Sequence, residues 1–151
     1  MRKLLLLTVA ILVLTAGAAA AKGLVNVDSK GLALEGYDPV AFFTDGKAVK
    51  GDPAITATYE DAVYRFAEAA HKESFEADPE KYVPAYGGYC AYGLAVAGKR
   101  FDVAIDTWQI VDGRLMLNKS AGVREKFDAD RDEMVAKADA NWASLVASED
   151  K

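Results

Sequence analysis

Apolar and polar residues alternate along two neighbouring segments, and this alternation predicts a pair of short strands. From Ile55 to Tyr59 and from Ala62 to Phe66, apolar residues recur at every second position. Glu60-Asp61 stands between the segments and predicts the turn that joins them. Tyr64 and Phe66 therefore share one face of the second strand.

The next segment changes to the spacing of a helix. We expect a helix from Ala67 to Ala77, with His71 one turn before Phe75 on the same face. Asp78-Pro79-Glu80 then predicts a new helical turn, because aspartate caps free N–H groups and proline suits the first helical position. Tyr82 closes this second helix.

Two Asp-Gly pairs predict hairpin turns, since a type I′ turn needs the positive φ that these residues tolerate. The first pair, Asp45-Gly46, would join arms at Phe42-Phe43 and Ala48-Val49. The second pair, Asp112-Gly113, would join two strands on which four residues alternate toward the core: Trp108, Ile110, Leu115 and Leu117.

The C-terminal residues have helical patterns throughout. Ser120 is the expected N-cap of a helix that pairs Val123 with Phe127. Further along, an apolar stripe at helical spacing is expected to face the core: Met134, Ala138, Trp142 and Leu145. Together these patterns predict a small single α+β domain in which short β-hairpins pack against helices, with a helical C-terminus.

The N-terminal residues have a different composition from the rest. Arg2 and Lys3 precede an apolar run from Leu4 to Leu14, and small residues follow as far as Ala21. A bilayer requires about 20 apolar residues, so this shorter run is typical of a cleaved secretory signal peptide over residues 1–21. We expect a periplasmic or secreted protein with no membrane contact after cleavage.

The net charge of the chain limits the kinds of molecule that it is expected to bind. Loss of Arg2 and Lys3 with the signal peptide takes the formal net charge from −5 to −7. A protein of this charge is repelled by phosphate backbones and anionic lipids, so nucleic acid is not an expected partner. A protein partner, a metal ion or a small ligand remain open.

Cys90 is the only cysteine of the chain and lies in the segment Gly87-Gly88-Tyr89-Cys90-Ala91-Tyr92-Gly93. One cysteine cannot close a disulfide within the chain, so the fold must be held by packing. Four roles are open for this thiol: a buried apolar filler, a metal ligand, a redox thiol, or half of an intermolecular bridge. The glycines around it permit tight turns.

Four short motifs stand in order along residues 38–82: Asp38-Pro39-Val40, Tyr64-x-Phe66, Lys72-x-x-Phe75 and Pro79-x-x-Tyr82. In these motifs the chain resembles the YHS domain, a small module found in metal-handling proteins, in oxygenase subunits and alone in exported bacterial proteins. The resemblance implies a standalone exported binding module. It divides the mature chain into an N-terminal arm over residues 22–37 and a domain with a C-terminal extension over residues 38–146.

Metal-handling members of that family are similar in having cysteines at the positions that are Ala41, Ala67 and His71 here. The resemblance therefore implies a ligand only at His71, where an imidazole replaces a thiolate. If the Cys90 segment folds back onto the helix of His71, the two side chains form a ligand pair that suits copper or zinc. Two ligands suffice for linear copper(I), and an acid could add a third: Asp38 or Asp102.

Three classes of function follow. The first is a binding module that holds a transition metal or a small ligand in a pocket lined by aromatic residues: Tyr64, Phe66, Tyr89, Tyr92 and Trp108. The second is a non-catalytic interaction or accessory protein with no metal site. The third is a thiol enzyme, which needs a base, an orienting group and an oxyanion hole, for which Gly87-Gly88 offer backbone N–H groups.

Overall fold

The structure is a computed structural model that describes residues 23–149, so the predicted signal peptide at 1–21 lies outside the described residues. Six α-helices occur in this part of the chain: α1 Ala41–Thr44, α2 Ala69–Ala77, α3 Pro79–Tyr82, α4 Ala91–Ala97, α5 Ala121–Ala129 and α6 Arg131–Glu149. Four strands form two antiparallel hairpins: β1 Asp52–Tyr59 with β2 Ala62–Phe66, and β3 Ala104–Val111 with β4 Arg114–Asn118. The predicted α+β class with a helical C-terminus is confirmed.

The first hairpin follows the alternation of its residues. Tyr59 pairs with Ala62 across the turn, and both turn residues, Glu60 and Asp61, have positive φ. This backbone is the one that a two-residue hairpin turn requires. β1 begins at Asp52, before the predicted start, and its register shifts between Asp52 and Thr56.

α2 packs across this hairpin through Phe75. The ring of Phe75 lies 6.2 Å from that of Tyr59, 4.9 Å from that of Tyr64 and 5.2 Å from that of Phe66, measured between centroids. Because these rings are large and all but Tyr59 are fully buried, they form the centre of the first core. The predicted helix is confirmed, with its start at Ala69 rather than Ala67.

The predicted hairpin around Asp45-Gly46 is wrong. The residues before the turn form α1, Ala41–Thr44, and not a strand. The carboxylate of Asp38 accepts the N–H groups of Val40 and Ala41 at the helix start, and these groups have no partner within a helix. A local side-chain bond therefore outweighs the turn signal.

The second hairpin is confirmed at Asp112-Gly113, but its predicted inward face is wrong on β3. Ile110 is 38% exposed and Trp108 is half-buried. The buried residues of β3 are the intervening ones: Ile105, Thr107, Gln109 and Val111. On β4, Leu115 and Leu117 are buried as predicted, and Met116 between them is buried as well.

β4 is buried on both faces because it lies between two hydrophobic cores. Leu115 and Leu117 belong to the first core, with the first hairpin and Phe75. Met116 belongs to a second core, with residues of α4, α5 and α6. The predicted apolar stripe of α6 faces this second core: Met134 and Ala138 are buried, and Trp142 and Leu145 pack against it.

Residues before α1 pack against the first hairpin. Ala33 and Leu34 are buried in the first core, and the N–H of Ala33 donates to the carbonyl of Val63 at 2.9 Å. The N–H of Asn26 donates to the carbonyl of Gly87 at 2.8 Å. The described part of the predicted arm is therefore bound to β2 and to the 3-10 turn Ala85–Gly88.

Within residues 23–149, none of the helices combines the length and the apolar composition needed to cross a lipid bilayer.

Candidate functional site around His71

Asp38 is a fully buried carboxylate at the start of α1. Its Oδ1 accepts the N–H of Val40 at 2.9 Å and that of Ala41 at 3.3 Å. Its Oδ2 accepts the N–H of Ala67 at 2.8 Å and lies 2.6 Å from Nδ1 of His71. A buried carboxylate is tolerated only with such partners, and these four contacts occupy both of its oxygens.

His71 lies on α2 with only 8% of its surface exposed. Because a carboxylate can only accept, the short contact places a proton on Nδ1 and fixes the ring orientation. The second ring nitrogen, Nε2, lies 3.3 Å from Oε1 of Glu68, 3.4 Å from Oγ1 of Thr44 and 3.8 Å from Oδ1 of Asp45. Asp38 thus directs Nε2 toward three oxygen atoms.

The Thr44 hydroxyl acts toward His71 as an acceptor. Its single proton has two acceptors elsewhere, the carbonyl of Val40 at 3.2 Å and Oδ1 of Asp45 at 3.0 Å. Every described group near Nε2 is therefore an acceptor, which suits a positively charged occupant of that position, either a proton or a metal ion.

These contacts also determine the pKa of His71. Burial of the ring lowers the pKa, but the hydrogen bond to Asp38 and the negative charges of Asp38, Glu68 and Asp45 outweigh burial. The net result is a pKa raised above the ordinary value of 6.5. The imidazolium form of His71 therefore persists to a higher pH than that of an ordinary histidine.

The arrangement of Asp38, His71 and Thr44 resembles an acid, a base and a hydroxyl nucleophile that act together in catalysis. The chemistry of the three residues, however, does not fit nucleophilic catalysis. A base must accept the nucleophile's proton, whereas the surroundings of Nε2 favour a proton already bound. The Thr44 proton is drawn to the Val40 carbonyl or to Asp45. The arrangement supports cation binding better than nucleophilic catalysis.

Cys90 is held at the start of α4 by a separate set of partners. Its Sγ accepts the N–H of Gly93 at 3.4 Å, and its thiol contacts Oδ1 of Asn118 at 3.6 Å. Its backbone bridges to Leu117 of β4. In the part of the chain that the structure describes, Cys90 and His71 share no hydrogen-bond partner. The structure thus does not join the two predicted metal ligands.

Of the two acids proposed to complete that pair, Asp38 lies at His71, where it binds Nδ1. Asp102 lies elsewhere, in the loop before β3, where it lines a cavity of about 410 Å³ together with Leu34, Pro84 and Gly87. The residues that line this cavity include none of the five predicted aromatic side chains.

The five aromatic residues predicted to line one pocket are divided between different parts of the core. Tyr64 and Phe66 are buried around Phe75. Trp108 is half-buried, with its ring centroid 5.1 Å from that of Phe42. The environment of these three side chains is close packing in the first core.

Tyr89 and Tyr92 flank Cys90 in the sequence but have different environments. Tyr89 is buried and its hydroxyl donates to the carbonyl of Gly23 at 2.9 Å. Tyr92 is half-buried and packs against the second core. Tyr89 thus binds the backbone of Gly23, whereas Tyr92 packs against the second core.

The candidate site around His71 includes three residues that the sequence analysis missed: Thr44, Asp45 and Glu68. Glu68 is three residues before His71, a helical spacing that was readable from sequence. Thr44 lies 27 positions away and carried no local signal. Among residues 23–149, no three His, Cys, Asp or Glu side chains are already gathered as a metal-binding group.

Comparison of the chain with protein-family models, with curated proteins and with solved structures found no match. The resemblance of residues 38–82 to the YHS domain thus has no support from a family model and stays a hypothesis based on its sequence motifs.

Proposed function

We propose that this protein is an exported binding module that takes up a divalent transition-metal ion at Nε2 of His71. One observation supports the proposal above others: the buried carboxylate of Asp38 holds Nδ1, and Nε2 faces only acceptors. Histidine ligands of metals commonly donate their other ring N–H to a carboxylate in this manner.

The donor set fits zinc or copper(II). Glu68 Oε1 lies 3.3 Å from Nε2, close to the separation of about 3.4 Å expected for two ligands bound about 2.1 Å from a tetrahedral ion. The side chains of Glu68 and Asp45 are 61% and 37% exposed, so both are free to adjust. Imidazole with carboxylates suits these divalent ions, whereas copper(I) prefers sulfur. Cys90 therefore has no part in this site.

Metal binding at Nε2 competes with a proton. Because the pKa of His71 is raised, a metal ion has to displace this proton up to a higher pH than at an ordinary histidine. The affinity for metal is therefore expected to increase as the pH rises through the pKa of His71.

Calorimetric titration of the mature chain with Zn²⁺ tests the proposal. His71→Gln should abolish binding, and Glu68→Gln should weaken it about tenfold or more, as loss of one ligand does. Glu76→Gln is the matched control, since Glu76 is an exposed residue of the same helix paired with Lys72. It should bind Zn²⁺ like the wild type.

Absence of Zn²⁺ binding by the wild-type chain, or equal binding by His71→Gln, contradicts the proposal. The remaining hypothesis is then that the protein is an interaction or accessory protein with no metal site. Copper(II) titrated in parallel distinguishes the two metals that the donor set fits.

The exported location is tested separately. We expect the mature chain to begin near Lys22, because the small residues that fit signal cleavage end at Ala21. The intact mass of the protein recovered from the periplasm or medium measures this directly. A mass that still includes residues before Ala18 contradicts the signal-peptide prediction.

A further inference from the structure

β1 has an outer edge along which backbone groups lack partners. In an antiparallel pair, residues that exchange hydrogen bonds across the pair alternate with residues whose N–H and C=O point away from it. Val63 of β2 is of the second kind: its N–H donates to the carbonyl of Gly31 at 2.8 Å, and its carbonyl accepts the N–H of Ala33 at 2.9 Å. Thr58 lies opposite Val63. The N–H and C=O of Thr58 therefore point to the outer side of β1.

Thr56 has the same orientation, because the register is continuous from Thr56 to Tyr59 and the pattern repeats at every second residue. Within residues 23–149, β1 pairs with β2 alone, and neither Thr56 nor Thr58 has a hydrogen bond to another element. The two threonines thus present unused donors and acceptors along one line. We call the outer side of residues 56–59 the free edge.

The beginning of β1 is protected, in contrast to the free edge. Pro53 has no N–H, and the N–H of Ala54 donates to Oδ1 of Asp52 at 2.8 Å. Exposed strand edges can pair with another chain, and proteins commonly block them with proline or with charged side chains. In β1 this protection covers residues 52–54 and leaves residues 56–59 open.

A groove runs beside the free edge. Its volume is about 410 Å³, and it is lined by residues 56–59 together with Lys72, Phe75, Glu76 and Pro79. An extended segment paired with β1 would place every second side chain on the side of this groove. Because Phe75 and Pro79 are apolar, apolar side chains suit those positions.

Acidic side chains surround the free edge. Glu60 and Asp61 lie in the turn at one end, Asp52 lies at the other end of β1, and all three are exposed. Glu76 lines the groove and pairs with Lys72, the cation among the lining residues, at 3.5 Å. The charge of that lysine is thus offset, so the surface around the free edge is negative.

The environment of Tyr59, at the end of the free edge, has the same sign. Burial raises the pKa of its hydroxyl, and so do the negative charges of Glu60 and Glu80. Arg65 of β2 lies against Gly36 and does not line the groove. A segment that carries positive charge is therefore attracted to this edge.

A second copy of this chain suits the free edge less well. Two copies of β1 paired antiparallel about the middle of the strand would place Asp52 of one copy near the turn at Glu60 and Asp61 of the other. Like charges would then meet at both ends of the pair, which is unfavourable. The charges thus favour a basic segment of a different protein.

We propose that the free edge binds an extended, basic segment of a partner protein, which adds to the first hairpin as a further strand. The backbone groups of Thr56 and Thr58 bond to the backbone of the segment, and its apolar side chains lie over the groove. Its basic side chains lie near Asp61 and Glu76. The groove and the candidate site around His71 have no lining residue in common, so the two sites are separate.

The probe is a short, end-blocked peptide of alternating lysine and valine residues, added to the mature chain and followed by fluorescence anisotropy. We expect binding that weakens as salt is added, and no binding of the same peptide with glutamate in place of lysine. Amide exchange followed by NMR gives the position. Exchange at Thr56 and Thr58 should slow about tenfold or more with peptide bound, because both N–H groups gain acceptors.

Thr58→Pro removes one outer N–H and places a ring on the free edge. The pairing of β1 with β2 does not use that N–H, and proline is tolerated on edge strands for this reason. The variant should weaken peptide binding about tenfold or more. Thr58→Val is the matched control, since it keeps the backbone donor, and it should bind like the wild type. Thermal melts establish that both variants are folded.

Asp61→Asn and Glu76→Gln test the contribution of charge. Each should weaken binding of the lysine peptide about two- to fivefold, the range of a single exposed charge pair. Asp132→Asn changes an exposed acid on α6 and should leave binding unchanged. Because Glu76→Gln is also expected to bind Zn²⁺ like the wild type, the peptide site and the metal site are tested independently.

Three results overturn the proposal: no binding of the lysine peptide by the wild type, equal binding by Thr58→Pro, or unchanged exchange at Thr56 and Thr58 with peptide bound. Concentration-dependent dimers of the free chain in which these two amides are protected also overturn it, in favour of a second copy as the occupant. If Thr58→Pro does not fold, the exchange measurement on the wild type decides.

Discussion

Asp38 and His71 lie 33 positions apart in the chain, and Oδ2 of the first lies 2.6 Å from Nδ1 of the second. Both side chains are buried, and the contact joins the start of α1 to α2. The same carboxylate also holds the backbone of Ala67 at the end of β2. One buried group therefore fixes the relative positions of three elements and the direction of Nε2.

This pair predicts how stability depends on pH. The pKa of His71 is raised in the folded protein, so its stabilising contribution is fully present below the unfolded pKa of about 6.5. The contribution is lost as the pH rises through the folded pKa. Urea unfolding between pH 5 and 9 should show a decline of at most about 1.4 kcal/mol per pH unit in this window.

His71→Gln should remove that decline, because glutamine does not titrate. A variant with the same pH dependence as the wild type would assign the decline to another group. Lys72→Gln, a change at the neighbouring, half-buried position, is the control and should retain the decline.

Phe75→Ala should lower the free energy of unfolding by about 3–5 kcal/mol, the usual range for removal of a buried phenylalanine. The reason is that its ring contacts three others, those of Tyr59, Tyr64 and Phe66. Chemical denaturation measures the loss. Glu76→Ala, one position along and exposed, should change the free energy by less than about 0.5 kcal/mol.

Gly87→Ala should be strongly destabilising for two separate reasons. Gly87 has φ of +62°, and a Cβ there would lie 1.7 Å from the carbonyl oxygen of Leu24. Gly113→Ala isolates the first reason, since its φ is +75° with open space around it. We expect the free energy of unfolding to fall by about 1–2 kcal/mol in Gly113→Ala and by more than that in Gly87→Ala. Equal losses in thermal or urea unfolding would show that the segment at Leu24 moves freely.

Asp139→Asn should destabilise the contact of α6 with β4 by about 1 kcal/mol. Asp139 accepts the Tyr86 hydroxyl at 2.8 Å and pairs with both terminal nitrogens of Arg114 at 2.9 and 3.3 Å. Glu133→Gln is the control, because its pair with Lys137 is exposed and lies within α6. Glu133→Gln should leave the free energy of unfolding nearly unchanged. Urea unfolding should therefore show a lower stability for Asp139→Asn than for Glu133→Gln.

The first hairpin and the helices α2, α3, α5 and α6 were predictable because their signals are local, whereas α1 and α4 were not predicted. Alternation from Ala62 to Phe66 gave the buried face of β2, and Ser120 gave the start of α5, where its Oγ accepts the N–H of Val123. Such patterns depend only on residues that are close in the sequence. The repeat of a strand or of a helix then determines which of these residues lie on the same face. The stripe of α6 was predictable for the same reason.

Other features of the fold depend on tertiary structure and could not be predicted from these local patterns. Asp45-Gly46 ends a helix rather than forming a hairpin, because Asp38 binds the N–H groups at the start of α1. On β3 the buried face is that of Thr107 and not Ile110, and this choice between two alternating faces depends on how the hairpin packs against the two cores. Neither condition is visible in a local window.

The sequence by itself determined that His71 is the single histidine and that it shares a helix face with Phe75. Only the tertiary structure decided that Asp38 binds His71 and that Thr44 and Asp45 stand at Nε2, while Cys90 is paired with Asn118. The physical reason is that a side chain's helix face follows from its own neighbours, whereas its hydrogen-bond partner is set by how distant elements pack.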